Sequence, residues 1–285
     1  MPEGDSVWRV AQRLEAGLSA RPVTRSDLRV PRFATADLSG RSVVTTVSRG
    51  KHLLTRFSGG LTLHTHLRMT GGWTVVGAGK RLPRHLEESV RVVLVTDGPT
   101  AYALDTPVVE LLRTDREVDV VGHLGPDLLG DDWDPEEAVR RLWAAPHRPL
   151  AAALLDQRNL AGIGNLWANE LCFLRGRSPW TLVGEVDLPP LVDLARRLLL
   201  FSVSGVRTGR PTAQATTGDP RKGRNHWVSG RAGRPCLRCG TTVRVVEEVQ
   251  ADPGRRRTWW CPRCQPGPPP PPDRVQSTPA PLGPD

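Results

Sequence analysis

The stretch SVVTTVSRGKHLLTRFSGGLTLHTHLRMTGGWTVV, residues 42–76, decides how the first half of the chain folds. It divides into short runs rich in Val, Thr, Leu and aromatic residues, at 42–48, 53–57, 61–67 and 73–76. Glycine turns such as Ser58-Gly59-Gly60 stand between them. β-Branched and aromatic side chains suit a pleated, half-buried surface, and glycine supplies the turn backbone that other residues resist. A further run at 90–96 stops at Asp97-Gly98-Pro99. Short strands punctuated in this way predict a sandwich or barrel-like β layer from residue 21 to about 120.

The flanks read differently. Val7, Val10, Ala11, Leu14 and Leu18 recur at helical spacing, which predicts a helix over 5–18 with Asp5 or Ser6 as its N-cap. Asp134-Pro135-Glu136-Glu137 is a helix start, with a capping carboxylate, proline at the first position and acids in the first turn. Further helices are expected over 149–156, 165–175 and 189–203. The chain is therefore α+β. Residues 207–225, rich in Gly, Thr, Arg and Pro, read as a mobile loop. Nine of the last twenty residues are proline, which cannot pack a core, so that tail is expected to be disordered or polyproline II. It is a candidate contact for another protein.

The 285 residues allow two domains and a small appendage. Charges stand where a signal peptide would carry its apolar segment, and the longest apolar run, 198–201, is far too short to span a bilayer. A soluble, cytoplasmic monomer is the expectation, with no membrane partner. The formal net charge is +9, and residues 221–264 hold eleven Arg or Lys against three Asp or Glu. A basic surface concentrated there points to a polyanionic partner, although an Arg-rich composition alone gives a similar count.

Four of the five cysteines form two pairs, Cys236-x2-Cys239 and Cys261-x2-Cys264, separated by 21 residues. Two such knuckles place four thiolates tetrahedrally, which suits one structural zinc ion and closes its coordination sphere. The metal would fold a hairpin, about 230–264, that has little core of its own. Arg255, Arg256 and Arg257 lie between the pairs, where arginines can grip phosphates bidentately or form a solvated turn. Upstream, Gly162-Ile-Gly164-Asn165 permits a tight turn with Asn165 capping a helix whose N-terminus can receive a phosphate.

The N-terminus, Met1-Pro2-Glu3, carries a chemical option. Removal of Met1 would expose the secondary amine of Pro2, and an α-amino group has a pKa of about 7.7–8.0, so part of it is neutral near neutral pH. A neutral amine can form a Schiff base, and Glu3 beside it could move protons. Lys51 follows a glycine turn. Met69, one of two methionines, falls at a turn tip where an exposed apolar side chain could wedge into a base stack. Each of these has an ordinary reading: a helix lead-in, a solvated lysine, a core methionine.

Their order is more specific than any one alone. Met-Pro-Glu-Gly-Asp, Arg49-Gly-Lys-His-Leu-Leu, Leu155-Asp-Gln followed by Ala161-Gly-Ile-Gly-Asn and Glu170, and the two cysteine pairs with Trp260-Cys-Pro-Arg-Cys-Gln265 resemble the formamidopyrimidine-DNA glycosylase and endonuclease VIII family over residues 2–265. Within the family, Met-Pro-Glu-Gly-Asp and Arg49–Phe57 look more like endonuclease VIII, and Val30-Pro-Arg-Phe-Ala and His123-Leu-Gly-Pro-Asp-Leu-Leu resemble its actinobacterial group.

The resemblance implies an N-terminal catalytic β-sandwich with flanking helices (1–125), a helical DNA-binding domain with a helix–two-turn–helix (126–229), a zinc-binding β-hairpin (230–265) and a Pro-rich tail (266–285). It implies damaged DNA as partner, base excision of oxidised pyrimidines, and strand cleavage by β,δ-elimination. Pro2 would be the nucleophile, Glu3 the general acid/base, and Lys51 a phosphate holder that assists elimination. Asn165 and Arg256 would clamp the DNA backbone, with Glu170 on the helix facing the site. Arg68, Met69 and Thr70 occupy the hole-filling loop, where the sequence departs from both main family patterns. Cys236, Cys239, Cys261 and Cys264 would hold one zinc ion. The rival readings are an oxidised-purine enzyme of the formamidopyrimidine type, a lyase acting mainly on existing abasic sites, a silent damaged-DNA binder, and a zinc-ribbon DNA-binding protein without chemistry.

Overall fold

The computed structural model describes residues 2–207, 214–248 and 256–271. Contacts divide the chain into two compact units, Met1–Asp131 and Asp132–Asp285.

The first unit opens with α1 (Gly4–Leu18) and continues through eight strands: β1 (Val23–Leu28), β2 (Val43–Arg49), β3 (His52–Phe57), β4 (Leu61–His66), β5 (Gly72–Val76), β6 (Val90–Thr96), β7 (Thr100–Leu104) and β8 (Val108–Arg113). A short α2 (Val118–Val121) follows. The strands form two four-stranded sheets, ordered β1-β6-β7-β5 and β2-β3-β4-β8, with antiparallel neighbours throughout. Leu28, Val92, Leu94 and Ala103 of the first sheet and Val43, Leu53, Phe57 and Leu63 of the second join one buried cluster. Period-two alternation puts Leu53, Thr55 and Phe57 on one face of β3. Val7, Ala11, Leu14 and Leu18 add the apolar stripe of α1 to the same core.

The helix begins one residue earlier than its periodicity predicts, and its cap differs. Glu3 is the N-cap, in extended conformation (φ −118°, ψ 174°), and its N–H donates to Ser6 Oγ at 2.8 Å. Ser6 is thus the third helical residue of a capping box, not the cap.

Residues 123–131 belong with this sandwich. Gly50 N–H donates to the buried Asp127 carboxylate at 2.7 Å, which ties the segment to the β2–β3 turn.

The second unit contains α3 (Pro135–Trp143), α4 (Leu150–Leu155), α5 (Asn165–Leu174) and α6 (Leu188–Arg207), then the hairpin β9 (Arg244–Glu248) and β10 (Arg256–Trp260). Asp134 caps α3 by accepting the Glu137 N–H at 3.0 Å, as its sequence predicts. No helix among the described residues is long and apolar enough to cross a membrane. Of the stretch expected to be a mobile loop, 208–213 lies outside the described residues, whereas 214–225 forms hydrogen-bonded turns. Of the proline-rich tail, 272–285 lies outside them, and Ser178 Oγ donates to Pro268 O at 2.6 Å.

Candidate active site and nucleic-acid interface

In the first unit, three sequence-predicted elements gather at one end of the second sheet. Ser19 Oγ bonds Val44 O, and Glu15 accepts from Thr46 N–H, so contacts climb β2 as they step back along α1. The helix therefore runs antiparallel to β2, and its N-terminus, with Pro2 and Glu3, points to the end where β2 turns into β3. That turn carries Gly50 and Lys51. Its backbone needs Gly50 at φ +56°, a conformation side chains resist, and Asp127 holds the Gly50 amide from beneath. His52 and His66 are register partners, so β4 delivers residues 67–71 to the same end.

The 67–71 segment is a closed turn. Gly71 N–H donates to Leu67 O at 2.8 Å, and Thr70 Oγ1 donates to Asp105 O at 3.2 Å. Arg68 adopts φ +50°, and its N–H donates to His66 Nδ1 at 3.1 Å. Met69 is 67 % exposed at the tip, an apolar side chain held in water by an ordered turn. Glu3 is buried at the head of α1.

The second unit gathers the rest. The α4–turn–α5 segment is the helix–two-turn–helix. Gln157 fixes its turn: Nε2 donates to Leu155 O and Ile163 O at 2.7 and 2.9 Å, and Oε1 accepts from Gly162 N–H at 3.1 Å. Gly162 sits at φ +104°, where a side chain would be strained. The predicted cap is corrected: Gly164 is the N-cap of α5, and Asn165 is its first residue. With the cap role filled by extended backbone, Asn165 Nδ2 donates to Arg257 O at 2.8 Å. Asn169 Oδ1 accepts from Trp259 N–H at 2.9 Å. These bonds lay β10 along α5 and bring Asn165 beside the strand that begins with Arg256.

Glu170 does not reach a surface. It is fully buried, and its carboxylate accepts the N–H groups of Trp227, Val228 and Ser229, each at 2.9 Å, and the Thr216 hydroxyl. It anchors the described part of the 214–229 segment to α5. Phe173 and Trp227 stack with centroids 5.3 Å apart, and the Arg238 guanidinium lies 4.4 Å from the Phe173 centroid. The sequence reading placed Glu170 on the helix but did not find this anchor, because the three amides lie almost sixty residues downstream. Gln157 and Asp127 were also missed as anchors, although both lie inside the quoted motifs.

The ligand atoms of Cys236, Cys239, Cys261 and Cys264 lie within 4.8 Å of one another. The Cys239–Cys261 and Cys236–Cys264 sulfur distances are 3.5 and 3.9 Å. Zinc–sulfur bonds of about 2.3 Å in a tetrahedron need sulfurs about 3.8 Å apart, so the cluster fits such an ion. Arg238 and Cys264 N–H groups each approach a cluster sulfur at 3.5 Å. Burial, with the neighbouring thiols, pushes the Cys261 and Cys264 thiols up, whereas hydrogen bonds with Thr241 bring Cys239 down to about 6. Cys172 stands apart: burial pushes its thiol up to about 12, and it acts as core.

Comparison with known proteins gives this geometry a family. The sequence profile described as "Formamidopyrimidine-DNA glycosylase N-terminal domain" matches residues 1–106. A Streptomyces coelicolor protein named "Probable endonuclease 8 2" is 53% identical over 274 residues, covering 95% of this chain and 96% of that protein. The Mycolicibacterium smegmatis protein named "DNA-(apurinic or apyrimidinic site) lyase Nei2" is 47% identical, covering 93% and 99%. In fold, the chain matches Lactococcus lactis Fpg in complex with abasic-site DNA at TM-score 0.75 and 20% identity, over 93% of this chain and all of that one. The chain belongs to the formamidopyrimidine-DNA glycosylase and endonuclease 8 family, a class of DNA-repair enzymes. Within it, the chain is similar to actinobacterial proteins named endonuclease 8 2 and to the mycobacterial Nei2 lyase.

Proposed function

We propose that the chain is a bifunctional DNA glycosylase and abasic-site lyase of base excision repair that removes oxidised bases, preferably pyrimidines, through a Schiff base at Pro2. The observation that carries this reading is the convergence of the α1 N-terminus, the Lys51 turn and the 67–71 turn at one end of the sandwich. With Met1 removed, the Pro2 amine lies near the positive end of a fifteen-residue helix, which opposes its protonation and favours the nucleophile.

The flipped nucleotide presents C1′ to Pro2. The amine bonds to C1′ as the base departs, and Glu3 passes a proton to the opening sugar. The resulting iminium acidifies the C2′ proton. Its removal expels the 3′ phosphate, and a second elimination expels the 5′ phosphate, leaving a one-nucleotide gap. Lys51 holds a phosphate beside the lesion, Arg68–Thr70 fill the vacated stack, and Asn165 and Arg256 grip the backbone. Cys236, Cys239, Cys261 and Cys264 hold zinc, which supplies folding energy to the hairpin and no chemistry.

Borohydride trapping on DNA with an abasic site or an oxidised pyrimidine tests this. A covalent adduct is expected from the wild type and none from Pro2→Gly or an N-terminally extended form. Absence of the adduct from processed, zinc-loaded wild type would leave a non-catalytic damage binder.

A further inference from the structure

Four of the seven histidines lie around the Lys51 end of the sandwich, outside the roles given above. Glu110 Oε2 lies 2.8 Å from His64 Nδ1, and His64 Nε2 lies 2.8 Å from His52 Nδ1. His66 and His123 approach the His52 ring edge-on, with centroids at 4.8 and 6.1 Å. Register explains the row: His64 pairs with Glu110 across β4–β8, and His52 with His66 across β3–β4, so all four side chains share one face.

The donors can be assigned by elimination. A carboxylate only accepts, so His64 Nδ1 carries the proton. While His64 is neutral, its Nε2 accepts and His52 donates from Nδ1. His52 Nε2 is left as a bare acceptor with no hydrogen-bond partner among the described residues. In the free enzyme His52 and His66 are held neutral beside the cations Lys51 and Arg68. Burial, then His66, His64, His123 and Arg68, holds His52 down at about 3. Burial, then Arg68 and Lys51, holds His66 down at about 4.

We propose that Glu110, His64 and His52 form a relay that takes up one proton from solvent when a DNA phosphate docks beside Lys51. The proton enters at His52 Nε2. The His52 Nδ1 proton passes to His64 Nε2, and the charge ends as a His64 imidazolium against the Glu110 carboxylate. On the His52 side a phosphate supplies the negative charge that the present neighbours, Lys51, Arg68, His66 and His123, do not; on the His64 side Glu110 faces the ring, and Glu117, paired with Arg56, acts on it as well. Its arrival offsets the field of Lys51 and Arg68 that opposes adding a proton to the His52–His64 pair. The inference rests on Lys51 as a phosphate holder.

Calorimetric titration of a duplex carrying a tetrahydrofuran abasic analogue, in buffers of different ionisation enthalpy at pH 6, reads the uptake. Wild type should take up a proton on binding, with less uptake at pH 8. Glu110→Gln keeps an oxygen to accept from His64 and so preserves the fold, but it removes the charge that stabilises the imidazolium. Its uptake, and that of His52→Gln, should fall to less than half. No uptake in the wild type, or equal uptake in all three, overturns the relay. Failure of the functional reading looks different: Lys51→Ala would leave affinity and its salt dependence unchanged.

Discussion

The sandwich and the cysteine hairpin hold their proposed contact residues by opposite means. In the first unit, two sheets and α1 bury a continuous apolar cluster, and Lys51 and Met69 ride on turns at its edge. Around the hairpin, the buried residues form two small clusters, Phe173, Val228 and Val243 with the thiols Cys236 and Cys261, and Trp180 with Val246 and Trp260. Apolar burial stabilises the first without help. The second is small enough to depend on polar anchors and a metal. Functional residues in the two regions should therefore fail under different insults.

Metal removal should produce the largest difference. Zinc bound by four thiolates contributes about 10–16 kcal/mol of apparent folding free energy in small zinc modules. Chelation, or Cys261→Ser, should unfold β9–β10 and release Arg256 and Arg257 from α5. DNA affinity should then fall by about a hundredfold or more, since phosphate grips dominate binding. Hydrogen exchange in β3 and β4 should stay unchanged. Equal loss of protection in both regions would break the comparison, and unchanged affinity would remove the hairpin from the interface.

Glu170→Gln should give an intermediate effect confined to the second unit. The carboxylate accepts three backbone amides and a hydroxyl. An amide keeps one oxygen and turns a donor toward donors. Leaving buried N–H groups unpaired costs about 1–3 kcal/mol each. Exchange at Val228 and Ser229 should rise while the sandwich stays protected. Unchanged exchange there would mean that the Phe173–Trp227–Arg238 stack, not Glu170, holds the segment.

What could be read from the sequence follows the same division. The strands over 42–76 were legible because alternation and glycine turns are local signals, and the cysteine pairs because metal spacing is local too. The position of the α1 cap was not. Asp5 and Ser6 are good capping types, and choosing Glu3 requires knowing that the backbone turns extended before Gly4. Asn165 has capping chemistry, yet Gly164 fills that place and frees its side chain for Arg257, ninety-two residues away. The histidine row is legible only after register pairs β3 with β4 and β4 with β8. Contacts fixed by local propensity could be read, and those fixed by long-range pairing could not.

Met69→Ala should have the smallest effect on stability and the most selective effect on function. The side chain is mostly in water, and the turn beneath it is closed by Gly71, Thr70 and Arg68 backbone and hydroxyl bonds that alanine leaves intact. Stability should change by no more than about 0.5 kcal/mol, as for other exposed positions. A wedge matters only where a base has left a stack. Excision from duplex DNA should therefore fall about tenfold, on the scale of a lost unstacking contact. Cleavage of a single-stranded abasic site, where no stack needs filling, should be unaffected. Equal losses on both substrates would make Met69 a general contact, and the sandwich would then grip DNA at its edge as the hairpin does.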